Sequence, residues 1–105
     1  MEKWVGALEN GDYKQCYGRL RLRQSDGDKF CALGVAYETM TQDLGLEDWH
    51  TDFEHGAQLL DWLGFQNFTE ITVQGDQWRR NIAVLNDDEK LTFPEIAQRL
   101  RKEYL

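Results

Sequence analysis

Hydrophobic and polar positions alternate along this chain with periods that change from one stretch to the next. Trp4, Val5 and Leu8 fall on one face of a helix over residues 2–9, and Asn10-Gly11 is a helix-ending pair. So short a helix needs something to dock on. Arg19-Leu20-Arg21-Leu22-Arg23 alternates strictly, the mark of a half-buried strand. Ser25-Asp26-Gly27-Asp28 supplies turn chemistry, and Lys29-Phe30-Cys31 returns as a second strand of a hairpin. Residues 32–44 predict a helix with Leu33, Ala36, Tyr37, Met40 and Leu44 on one face, ended by Gly45. After a loop over 45–53, in which Thr51 or Asp52 is a candidate cap, residues 54–63 predict a third helix. It carries Leu59, Leu60, Trp62 and Leu63 and stops at Gly64.

The second half reads less simply. Residues 69–73 are β-branched and alternating, a candidate extra strand for the hairpin. Asp76 is placed to cap a helix running through Leu85, with Trp78, Ile82 and Leu85 on one side, and residues 86–90 form a polar linker. Thr92-Phe93-Pro94-Glu95 is a capping box that opens a last helix with Ile96, Leu100 and Tyr104 as its buried stripe. The expected architecture is α+β, with four to five short helices packed on a small antiparallel β-hairpin or sheet. A chain of 105 residues and 12.4 kDa is expected to make one domain over 1–105, and thirteen aromatics provide for a core.

Composition narrows the class. No apolar run approaches the ~20 residues of a membrane helix, and the mean hydropathy is −0.68. The first residues lead straight into an amphipathic segment and do not resemble a signal peptide. Two cysteines make neither a disulfide framework nor a zinc site. The expectation is a soluble, acidic, cytoplasmic protein. Its net charge of −7 is unevenly spread. Residues 14–29 hold five basic side chains against two acidic ones, whereas residues 30–78 contain no lysine or arginine and nine carboxylates. Generic nucleic-acid binding is disfavoured, because it needs cations clustered on one face. The acidic middle suits a basic partner or imitates nucleic-acid phosphates, against the plainer reading of a solvated surface.

Candidate chemistry is sparse. Arg19, Arg21 and Arg23 share one face of the expected strand, about 7 Å apart, a spacing that suits bidentate grip on phosphate or carboxylate. Lys14 and Lys29 would join them if the hairpin forms. The alternative is pairing with the protein's own carboxylates, or protection of a sheet edge. His50, Asp52, Glu54 and His55 crowd one loop, but the five-residue spacing of the histidines is no shared helical face, so neither metal nor cofactor is expected. Cys16 and Cys31 flank the hairpin and read as buried thiols without a base. Residues 86–89 begin like a calcium loop, but Leu91 and Ala97 stand where glycine and glutamate are required. With no phosphate loop or nucleophile elbow either, the balance is against an enzyme. Trp4, Trp62 and Trp78 read as core. Trp49, between Asp48 and His50, is either a loop anchor or an exposed contact residue.

Trp4-x-x-Ala7-Leu8-x-x-Gly11-x-Tyr13, Gly18-x-Leu20, Phe30-Cys31-Ala32-Leu33-Gly34-Val35, Leu85-Asn86-Asp87 and Phe93-x-Glu95-Ile96-Ala97 stand in a familiar order. In these the chain resembles a group of small uncharacterised bacteriophage and prophage proteins. The resemblance implies a phage or environmental origin, and it assigns no activity and no functional residue. It favours a non-catalytic phage accessory protein that binds a host or defence protein in the host cytoplasm, with Trp49 and the acidic middle as its contact surface. The alternative is an anionic small-ligand (nucleotide) binder using Arg19, Arg21 and Arg23, with Tyr13 or Tyr17 stacking on a base.

Overall fold

The computed structural model describes residues 1–49, 53–75 and 78–105. Helix α1 (Glu2–Asn10) buries Trp4, Val5 and Leu8 and ends at Gly11, whose φ of 72° is left-handed. The Trp4 indole N–H donates to the Ala32 carbonyl at 2.9 Å, so α1 is fastened to the start of α2 (Ala32–Leu44). Between them lie three two-residue strands, β1 (Lys14–Gln15), β2 (Arg21–Leu22) and β3 (Lys29–Phe30), in the order β1-β3-β2. The expected hairpin is present as the antiparallel β2–β3 pair, Arg21 opposite Phe30. The parallel β1–β3 pair was not foreseen, since two residues are too few to carry a period.

The alternating arginine run is strand only at its middle. Gly18, at φ 77°, donates its N–H to the Asp87 carboxylate at 3.0 Å, and residues 17–20 bend away. Arg19 therefore lies outside the strand. The first turn of α2 presses against this bend, for a Cβ on Gly34 would lie 1.9 Å from the Leu20 carbonyl oxygen. Only glycine fits there. Cys31 caps the same turn, its Sγ accepting the Gly34 N–H at 3.4 Å. Helix α2 buries Val35, Ala36, Tyr37, Met40 and Thr41, but Leu44, expected on the buried face, is 45% exposed in its last turn.

Helix α3 (Phe53–Leu63) buries Leu59 and Leu63; the proposed caps Thr51 and Asp52 lie outside the described residues. A 3₁₀ turn (Phe68–Glu70), with Asn67 and Glu70 as a capping box, takes Thr69 out of the expected strand. The remainder, β4 (Thr72–Gln74), does not extend the hairpin. It pairs antiparallel with β5 (Arg79–Asn81) in a second sheet. A helix beginning near Asp76, itself outside the described residues, is thus replaced by a strand. Helix α4 (Ile82–Asp87) starts later, where the Asn81 side chain accepts the Ala83 N–H at 2.8 Å and the Ile82 N–H reaches the Ile71 carbonyl at 3.1 Å. Trp78, expected in the core, is 58% exposed as a consequence.

Helix α5 (Phe93–Tyr104) opens with the expected capping box at Thr92 and Glu95 and buries Ile96, Ala97 and Leu100. It lies against α1, and Arg101 joins the two by donating to both Glu9 and Glu2. Asn86, read as linker, is fully buried. Its Oδ1 accepts from Gln15 at 2.8 Å and from the Ala32 N–H at 3.1 Å, while its Nδ2 donates to the Cys16 carbonyl at 3.0 Å. The fold is α+β, with five α-helices and two small sheets among the described residues.

Two glycines make opposite predictions. Gly34→Ala forces a side chain into the Leu20 carbonyl and should lower stability by about 1–3 kcal/mol or more. Gly6, inside α1, has open space where its Cβ would be, so Gly6→Ala should raise stability by roughly 0.5–1 kcal/mol. Urea unfolding of both variants checks the pair.

Candidate functional site

The charged and aromatic residues singled out above meet on α2. Gly45 ends the helix in the left-handed region, with its own N–H on Gln42 and the Leu46 N–H on the Thr41 carbonyl at 2.9 Å. This closure is followed by Asp48 and Trp49, and it brings Trp49 back against Tyr37 and Glu38. Trp49 is 3% exposed: it stacks on Tyr37 with ring centroids 4.8 Å apart, and its indole N–H donates to Glu38 Oε2 at 2.8 Å. The indole is a loop anchor.

Arg21 covers it. Its guanidinium carbon sits 4.3 Å from the ring centroid, and Nη1 lies 3.2 Å from Asp48 Oδ1 and 4.0 Å from Glu38 Oε2. Arg23 donates to the other Asp48 oxygen at 3.1 Å. The Trp49 backbone N–H, donating at 2.8 Å, and then Arg21 hold the Asp48 carboxyl at a pKa of about 2. Two guanidinium groups thus face two carboxylates over one indole, a locally neutral arrangement. Arg19 is exposed and has no ion pair among the described residues. Lys14 and Lys29 stand opposite one another across β1 and β3.

The cysteines offer no nucleophile. Both are buried and free; each directly follows one of the paired strands β1 and β3, and the Cys16 N–H donates to the Phe30 carbonyl at 2.8 Å. Burial pushes the Cys31 thiol up to about 11 and raises that of Cys16, so both are protonated near neutral pH. Among the described residues no three histidine, cysteine or carboxylate side chains are grouped to hold a metal; His50 and Asp52 lie outside those residues.

Glu38 and Asp48 complete the cluster and were not singled out in the sequence. Nothing in the periodicity marks them, because their partners come from the hairpin and the loop. Asn86 had a readable signal, as it continues the buried stripe of Ile82 and Leu85 at helical spacing.

These observations define a small α+β protein in which a cation-covered tryptophan joins a hairpin to a helix. No helix among the described residues is long and apolar enough to cross a membrane. Residues 1–69 match the model of a family described as a domain of unknown function, DUF8296, and the chain belongs to that family. No curated protein and no solved structure matches the chain.

Acid should loosen this cluster. Because the folded pKa of Asp48 is depressed from 3.8, its stabilising effect is present above about pH 4 and is lost as pH falls toward 2. In Asp48→Asn the thermal midpoint should fall less steeply over that window. Glu9, Asp43, Glu95 and Glu103, also held low by their hydrogen-bond partners, supply the remaining slope.

Proposed function

We propose that this protein acts by binding rather than by catalysis, docking the acidic C-terminal end of α2 on a basic surface of a protein partner. The observation that carries the reading is Leu44, 45% exposed in the last turn of α2 and flanked by Asp43, Glu47 and Asp48. That turn contains no basic residue, so the negative end of the helix dipole adds to the carboxylates. Asp43 and Asp48 are already met by Lys3 and by Arg21 and Arg23, so Glu47 and the helix-end carbonyls supply the outward negative charge beside Leu44. An apolar contact next to such charge suits a partner of opposite sign, with charge setting the encounter rate and specificity. The resemblance to phage and prophage proteins supports a host or defence protein as that partner, met in the host cytoplasm. Trp49 takes a supporting part: it holds the loop that carries Glu47 and Asp48.

A second reading, a nucleotide clamp at Arg19, Arg21 and Arg23, draws on the exposure of Arg19 and of the Arg23 side chain, 65% accessible. It requires Arg21 to leave both Asp48 and the Trp49 ring for the ligand.

Immobilised protein should retain a bacterial protein saturably at low salt, with retention falling as salt rises. Replacing Leu44 and Glu47 together by lysine should cut that retention at least tenfold while the circular dichroism spectrum is unchanged. Equal capture by the double variant would overturn the reading. So would a nucleotide-induced rise in the thermal midpoint that disappears in Arg23→Gln.

A further inference from the structure

We infer that the groove between α1 and α2 receives an arginine side chain of the partner, an inference that rests on the acidic-end reading and extends it. The groove is open to solvent, has a volume of about 560 Å³ and adjoins the end of α2, sharing Gln42 and Asp43 with that face; Lys3 and Thr39 also line it, so its two carboxylates face one cation. Gly6, Ala7 and Asn10 line it from α1, where they follow one another at helical spacing. Asp12 and Tyr13, just past the end of α1, line it as well.

Charge complementarity names the occupant. The Asp43 carboxylate is already met by Lys3 and by the Trp62 indole N–H at 2.8 Å. Asp12 has no ion pair among the described residues. It sits beside the C-terminal end of α1, where the last turn again holds no basic residue and leaves carbonyls pointing outward. The Tyr13 hydroxyl accepts from Gln42 Nε2 at 3.3 Å. Burial holds this phenol above its ordinary pKa, with the charges of Glu38 and Asp12 adding to the shift, so it stays neutral. A guanidinium, flat and rich in donors, matches the unpaired Asp12 carboxylate and the side-chain amides of Asn10 and Gln42 that line the same groove.

Gly6 is the independent observation. Glycine inside a helix is unfavourable, and here no neighbour requires it, since a Cβ would meet nothing within 4 Å. What the missing side chain leaves is room in the groove.

Amide-resolved NMR of the full chain, titrated with acetyl-Gly-Arg-Gly-amide at low salt, tests this directly. Saturable shifts are expected at Gly6, Asn10, Gly11 and Gln42, and none with the corresponding Glu peptide. Asp12→Asn should weaken binding at least tenfold. Gly6→Gln, which fills the groove, should abolish the shifts, whereas Gly6→Ala should keep them; both should retain the helical spectrum. Shifts that survive Asp12→Asn, or that spread equally over Glu47, Asp61 and Glu70, would overturn the inference. Because the titration reads the groove alone, its failure alongside intact salt-dependent capture would overturn the groove and leave the acidic-end reading standing.

Discussion

The buried carboxamide of Asn86 is the interaction on which the arrangement of this small protein turns. Strands of two residues cannot position themselves, because so few ladder bonds do not offset the entropy of ordering the chain. Here one side chain from α4 binds the Cys16 carbonyl, the Ala32 N–H and the side chain of Gln15 at once. The sheet, the start of α2 and the end of α4 are thereby fixed relative to one another. Its loss would strand the Ala32 N–H and the Cys16 carbonyl as buried polar groups, at roughly 1–3 kcal/mol apiece. Asp87 extends the same grip to the Gly18 backbone and so sets the bend that Gly34 accommodates.

Electrostatics in this chain is largely internal. Arg21 and Arg23 turn to Asp48, Arg79 to Glu103 and Arg101 to Glu2 and Glu9. With acids outnumbering bases, the carboxylates left over define the outward character of the molecule. Two of those without an ion pair among the described residues, Asp12 and Glu47, stand just past the ends of helices whose last turns hold no basic residue. Helix-end polarity and unmatched side-chain charge therefore reinforce each other at neighbouring places, and both surface readings draw on that coincidence.

Legibility followed the reach of the forces involved. Helices α1, α2, α3 and α5 were readable because caps, stops and apolar stripes are local, as Thr92 with Glu95 and Gly11 show. The hairpin was readable from its alternation and turn. The β1–β3 pair and the switch of 79–81 from helix to strand were not, since pairing with 72–74 is decided by residues far along the chain. Trp78 and Leu44 were placed in the core by periodicity, which says which face is apolar but not where a neighbour stops covering it. The arginine triplet suggested one face; the bend at Gly18 divided it, and an aspartate some 25 residues away took two of its members. The family match ends at residue 69, yet Leu85, Asn86, Ile96 and Leu100 beyond it are all fully buried.

That α1 lies against α5 has a consequence for how the protein is made. Arg101 and Glu9 are 92 residues apart in sequence, so Trp4, Val5 and Leu8 have no α5 to cover them until almost a hundred residues have been added. At about 5–20 residues per second, this leaves the part of the α1 face that α2 does not cover without its α5 partner for roughly five to twenty seconds during synthesis. Over that interval the nascent chain is a substrate for holding chaperones and for misassociation with its neighbours.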